Sequence, residues 1–179
     1  PNAFLKQPLR WLQAISALGG TTSGGPNFAY ERCLQRITPD QRQGLDLSRW
    51  DVAFTGAEPI RPQTLAQFAE AFADCGFRPE AFYPCYGLAE ATLFVSGGSK
   101  STQPTPCSLD REALAQGMVI ESTVEAALSL VSCGQVAADQ SILMVDPKTC
   151  QPCKAEHIGE IWLAGPSVAK GYWQQPETT

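Results

Sequence analysis

The sequence predicts an α/β protein, with a mostly parallel sheet and flanking helices followed by a smaller, mainly β region. Three observations carry that prediction. In the first half, short apolar runs of strand composition alternate with stretches whose apolar residues recur at helical spacing. After Ser96 a run rich in glycine, serine, threonine and proline intervenes, and strand-like runs split by turn residues follow it. At 179 residues, 44% hydrophobic and 17% charged, the chain has the length and composition to bury a core.

Element by element, Trp11, Leu12, Ile15 and Leu18 form a helical stripe over 8–18, which Gly19-Gly20 ends. Thr21 to Gly25 reads as a short strand, and Pro26 as the first turn of a helix through Phe28, Ala29, Cys33, Leu34 and Ile37. Polar Thr38 to Arg49 reads as loop, and Trp50 to Thr55 as a buried strand. Arg61-Pro62 opens a helix with Leu65, Phe68 and Phe72 on one face, closed by Gly76. Phe82 and Tyr83 start another strand, and Leu88 to Val95 is expected to be helical. Strand, turn and helix in this order build a parallel layer. Gly97 to Pro106 is linker-like, and the subdomain boundary is placed near Gly98, dividing 1–98 from 99–179. Beyond it come a helix over Ser108 to Ala115, ended by Gly117, and strands at Ile142–Val145 and Glu160–Leu163. Asp146-Pro147-Lys148-Thr149 forms a turn, and a third strand is expected over Val168 to Trp173.

Thirteen basic against eighteen acidic residues give a net charge of −5. A general nucleic-acid or anionic-membrane binder would carry the opposite balance. The seven cysteines are odd in number and scattered, which fits reduced thiols in a cytoplasmic protein. No stretch is long and apolar enough to span a bilayer, and no signal peptide opens the chain. Starting at Pro1 without methionine and stopping at Thr179, the chain reads as a piece of a longer protein.

Two segments carry chemistry. Phe54-Thr55-Gly56-Ala57-Glu58-Pro59 ends a strand in a tight turn, where small residues let a flat ligand approach the backbone. On its own this tetrapeptide turn is an ordinary strand-to-helix connection. Tyr86-Gly87-Leu88-Ala89-Glu90 adds an aromatic face for a base and, four residues on, a carboxylate for a hard cation. Ligands of open α/β sheets bind beyond the carboxyl ends of strands, where both turns would lie. Other candidates carry less. Thr21-Thr22-Ser23-Gly24-Gly25 lacks the Gly-Lys-Ser/Thr ending of a phosphate loop. Cys150, Cys153 and His157 supply three potential zinc ligands where a structural site needs four, so a turn with two free thiols is the reading. A Ser-His-Asp triad would have to use His157, the single histidine, and a surface turn is the reading there.

Tyr86-Gly87-Leu88-Ala89-Glu90-Ala91-Thr92-Leu93 resembles the Tyr-Gly-x-Thr-Glu signature of adenylate-forming enzymes, in the wording of the fatty acyl-AMP ligases. Ser23 to Tyr30, Arg10-Trp11-Leu12, Gly56 to Pro59 and Gly159 to Trp173 resemble further segments of that group, so the likeness covers nearly the whole chain. It implies ATP and Mg²⁺ as cofactors, a fatty acid as substrate, and transfer of the acyl group to an acyl carrier protein or polyketide synthase module. It implies that Tyr86 stacks on adenine, with Gly87, Leu88 and Ala89 beside it, that Gly56, Ala57, Glu58 and Pro59 lie against the base, and that Glu90 attends the metal. By position, Ser23, Gly24, Gly25, Thr55, Cys85, Leu93 and Phe94 fall where the family lines its acyl pocket. Ala89 departs from the signature threonine, removing one hydroxyl contact to the α-phosphate. Ser101 to Ser132 resembles the insertion that sets these ligases apart from coenzyme A ligases. A phosphate loop upstream, and a ribose-binding Asp and a catalytic lysine downstream, are expected outside the chain, so the 179 residues alone are expected to be inactive. An acyl-CoA ligase, an amino-acid-activating domain and a non-catalytic module of the same fold remain alternatives.

Overall fold

In a computed structural model, which describes residues 2–178, helix and strand alternate through the first half. Helices α1 (Asn2–Lys6) and α2 (Leu9–Leu18) precede β1 (Thr22–Gly24). Helices α3 (Asn27–Arg36) and α4 (Pro39–Arg42) precede β2 (Val52–Thr55), and α5 (Pro62–Ala71) precedes β3 (Phe82–Leu88). Gly19, at φ 59°, takes the left-handed cap of α2 that its sequence position calls for. Polar Thr38 to Arg49 is not all loop. Thr38 and Gln41 form a reciprocal capping box around Pro39, enough to nucleate the single turn of α4. Helix α5 stops at Ala71, and a 3₁₀ turn over Ala73–Cys75 carries the chain to Gly76.

The sheet order is β1-β2-β3-β4-β7, with β4 at Leu93–Gly97 and β7 at Gln135–Val136. Strands β1, β2 and β3 are parallel neighbours, whereas β3–β4 and β4–β7 are antiparallel, so the α/β layer has a mixed sheet. Here the helix expected over Leu88 to Val95 is replaced by a hairpin. Only one 3₁₀ turn forms, at Ala89–Ala91, before Thr92 and Leu93 enter left-handed backbone at φ 55° and 85°. Branched and aromatic Phe94 and Val95 then favour the extended strand that pairs back onto β3.

The second half is mostly β. The expected helix over Ser108 to Ala115 starts later. Pro106–Leu109 forms β5, and Asp110 caps α6 (Arg111–Ala115) by accepting from the Ala113 amide at 2.8 Å. Strand β6 (Leu128–Val131) pairs antiparallel with β5, so the 101–132 stretch carries a two-stranded hairpin, which is tied to the 156–158 segment through Met118 and Val119. A separate sheet of order β10-β8-β9 joins β8 (Ser141–Asp146), β9 (Gln151–Pro152) and β10 (Glu160–Ala164). The turn after β8 is held by Asp146, whose carboxylate accepts from the Lys148 amide at 2.8 Å. Val168 to Trp173 is not a strand. It runs as bends and turns, with Gly171 at φ 144° and Gln174 at φ 54° beside two exposed aromatic rings, Tyr172 and Trp173.

The core lies between the parallel strands and the helices. Trp50, Tyr30, Phe68, Phe72, Phe77 and Phe82 are buried there, with Leu12, Ile15 and Ile37 closing the α2 and α3 side. Some buried polar groups of this core are partnered, while the Thr55 hydroxyl on β2 is buried without a hydrogen-bond partner among the described residues. Trp50 donates from Nε1 to the Ser23 and Val52 carbonyls, at 3.1 and 3.0 Å. Asn27 accepts from the Arg61 amide at 3.0 Å and donates to Glu31 and Thr64, which joins the start of α3 to the start of α5.

Candidate functional site

The parallel strands end together, and the residues just past those ends face one cavity of about 420 Å³. Gly25 and Pro26 follow β1, Gly56 and Ala57 follow β2, and Tyr86 and Gly87 lie at the end of β3. The two segments singled out in the sequence therefore open into a shared space. Leu93 and Phe94 of the hairpin close it from the side of β4.

Local rules explain the shape. Gly56 carries no side chain because a Cβ there would overlap the carbonyl oxygen of Cys85 and lie 3.0 Å from its sulfur. Gly87 is crossed as tightly, since a Cβ would strike the backbone carbonyl of Leu93 in the facing strand. The wall is thus bare backbone at both turns. Ala57 holds φ at 65°, a left-handed conformation that costs an alanine about 1 kcal/mol.

Eight of the sixteen residues singled out from the sequence line this cavity: Gly25, Gly56, Ala57, Cys85, Tyr86, Gly87, Leu93 and Phe94. The others lie elsewhere. Ser23 accepts a hydrogen bond from Trp11 Nε1 at 2.9 Å, which makes it an anchor between α2 and β1. Gly24 lies flat on β2, where a Cβ would overlap the Phe54 carbonyl. Thr55 is fully buried, on the face of β2 opposite Phe54. Pro59 is exposed beyond the turn, and Leu88 and Ala89 lead from β3 into the 3₁₀ turn.

Glu58 turns away from the cavity. Its Oε1 accepts from the Phe28 amide at 2.7 Å, within the first turn of α3, where the helix dipole favours a carboxylate. We expect Glu58→Ala to lower stability by about 1 kcal/mol in chemical denaturation, with Glu58→Gln losing less.

Sequence reasoning missed Val52, Phe54 and Tyr83, which also line the cavity. The signal was present in the period of two. Val52 and Phe54 alternate with buried Ala53 and Thr55, so one face of β2 serves the core and the other the cavity. Phe54 remains 40% exposed and lines the cavity, so it is not part of the packed core.

The lining is apolar and uncharged apart from polar tips. Burial pushes the Cys85 thiol above its ordinary range, and the thiol donates to the Thr55 carbonyl at 3.4 Å. Cys133 is raised by burial in the same direction, and Cys33 is raised to about 12. A raised pKa withholds the thiolate that reacts with maleimides. We expect mass spectrometry after maleimide treatment at neutral pH to find exposed Cys107 and Cys150 modified first, Cys85 and Cys133 later, and Cys33 last.

Glu90 sits on the Ala89–Ala91 turn at the hairpin tip, exposed to solvent. Among the described residues no three His, Cys, Asp or Glu side chains converge as a metal site, and Cys150, Cys153 and His157 are no exception. A lone exposed carboxylate still fits Mg²⁺. That ion takes one or two carboxylates and completes its octahedron with waters and phosphate oxygens of a bound nucleotide.

Comparison with known proteins agrees with this geometry. The AMP-binding enzyme family matches residues 1–173. The chain is 45% identical over 183 residues to the medium-chain-fatty-acid–[acyl-carrier-protein] ligase JamA of Moorena producens, covering 100% of this chain and 31% of that protein. It is 43% identical over 178 residues to the ligase TtuA, of the same description, from Teredinibacter turnerae, covering 99% and 28% respectively. A crystal structure of the fatty acyl-adenylate ligase from L. pneumophila, in complex with acyl adenylate and pyrophosphate, superposes with a TM-score of 0.94 at 47% identity. That match covers 100% of this chain and 31% of the other, so the chain spans about a third of the length of the proteins it matches. With a family match across 173 residues and strand ends that converge on one apolar cavity, the chain belongs to the AMP-binding enzymes.

Proposed function

We propose that this chain forms the adenine- and acyl-binding part of a fatty acyl-AMP ligase. The enzyme joins a fatty acid to ATP as acyl-AMP, releases pyrophosphate, and passes the acyl group to the thiol of an acyl carrier protein. The observation that carries the reading is the single apolar cavity shared by the Gly56–Ala57 and Tyr86–Gly87 segments. The names of JamA and TtuA, and the acyl adenylate held by the Legionella structure, support it.

The chain's own residues divide the work. Tyr86 offers a ring to the adenine, and the bare backbone at Gly56 and Gly87 admits the flat base. Val52, Phe54, Tyr83 and Phe94 give the acyl chain an apolar wall. Glu90 would hold Mg²⁺, whose charge offsets that developing on the phosphates during displacement. Holding carboxylate and α-phosphorus in line supplies the rest of the acceleration. The separate β10-β8-β9 sheet supports a subdomain division near Gly98, although β7 reaches back across it. Seven free thiols support a cytoplasmic setting, and among the described residues no helix is long and apolar enough to cross a membrane. A polyketide synthase module is the acceptor we infer beyond a free carrier protein.

The test is acid-dependent ATP–pyrophosphate exchange by the full-length protein. Stimulation by dodecanoate but not by amino acids is expected, with acyl transfer to carrier protein exceeding transfer to coenzyme A. Stimulation by amino acids alone, or efficient acyl-CoA formation, would overturn the reading. Removing residues 101–132 and recovering acyl-CoA synthesis would assign the coenzyme A barrier to the β5–β6 unit.

A further inference from the structure

We propose that Thr92 is a positioning residue, clamping the turn that carries Glu90 against the segment after β10. The proposal rests on the reading of Glu90 as the carboxylate that attends the metal. Thr92 lies outside the cavity lining, and its backbone is held at φ 55°. That conformation suits glycine or asparagine and is costly for a β-branched residue. A threonine there is explained by what its side chain does. Its hydroxyl donates to the Ser167 carbonyl at 2.6 Å. From the same distant segment, the Ala169 amide donates to the Glu90 carbonyl at 2.7 Å.

The two bonds bracket Glu90. One lands on its own carbonyl and the other starts two residues later, and both reach partners more than 70 residues on in sequence. Within the tip, the 3₁₀ turn is closed by the Thr92 amide on the Ala89 carbonyl at 3.1 Å. A hairpin tip held by one turn bond is mobile, and an exposed carboxylate on it samples many positions. Tying it at two points to a second segment restricts those positions before any ligand arrives, as outer partners orient metal ligands elsewhere.

The test uses the full-length protein with Thr92→Val, which keeps the branched shape and loses the donor, and Thr92→Ser, which keeps the donor. Two quantities are measured. The first is deuterium uptake by mass spectrometry in peptides covering 88–94 and 165–171. The second is the Mg²⁺ concentration giving half-maximal fatty-acid-dependent pyrophosphate exchange. Thr92→Val is expected to take up deuterium faster in both peptides and to need on the order of tenfold more Mg²⁺, with the KM for the fatty acid unchanged. Thr92→Ser should restore both. Unchanged uptake over 165–171, an unchanged Mg²⁺ requirement, or a serine variant as impaired as the valine variant overturns the proposal. Faster uptake throughout β1–β3 overturns it too, since the role would then be to hold the fold. A wild-type protein without fatty-acid-dependent exchange overturns the ligase reading and the positioning role together, whereas an active wild type with an indifferent Thr92→Val overturns the positioning role alone.

Discussion

Glu90→Ala in the full-length protein will lower fatty-acid-dependent pyrophosphate exchange on the order of 100-fold, while binding of the fatty acid stays intact. The expectation follows from placement. Glu90 stands on the hairpin tip, outside the cavity lining to which Phe54, Tyr83 and Phe94 belong. In the proposed role, removing it takes a negative charge from the metal and leaves the surface proposed for an acyl chain untouched. Glu90→Gln should be nearly as impaired, because an amide oxygen keeps the shape without the charge a hard cation prefers. Calorimetric titration of the alanine variant with a fatty acid separates the two effects. Activity within threefold of wild type would remove Glu90 from the proposed chemistry.

Phe68→Ala is the second large effect. The Phe68 ring is fully buried and meets Phe72, Phe77, Tyr30, Phe82 and Trp50, at centroid distances of 4.5, 5.0, 5.1, 6.0 and 6.3 Å. Several of these contacts are edge-to-face, the arrangement aromatic quadrupoles favour. Truncation leaves a cavity that five stiff rings cannot collapse into, and the expected loss is about 3–5 kcal/mol. Chemical denaturation of wild-type and variant protein measures it. Phe72→Leu, just past the end of α5 and keeping most of the volume, should cost less.

How far the fold could be read in advance depended on the range of the interaction that decided each element. Helices α2, α3 and α5 were legible because an apolar stripe, a proline and a glycine act within a few residues. The β3–β4 hairpin was not, because Ala89-Glu90-Ala91 favours helix locally and the deciding partner is the β3 edge across the sheet. Val168 to Trp173 erred in the other direction. Its aromatic and branched composition suits a strand, but no edge pairs with it among the described residues. The site divides in the same way. Tyr86, Gly87, Gly56 and Ala57 announced themselves by residue type and turn position. Glu58 has the type of a site carboxylate, yet its partner is a helix amide 30 residues earlier. Phe54 looked like ordinary core until alternation along β2 put it on the other face.

The carbonyl of Phe54 takes the Gly25 amide at 3.0 Å and the Tyr30 hydroxyl at 2.8 Å, and Tyr30 is itself wedged among the buried rings. The floor of the cavity is therefore a stiff plate bolted to the interior, not a cushion that yields to fit. Evolution or an engineer wishing to admit longer or bulkier acids would have to trim protruding groups at Val52, Phe54 or Tyr83, because bending the main chain there would disturb the whole aromatic interior.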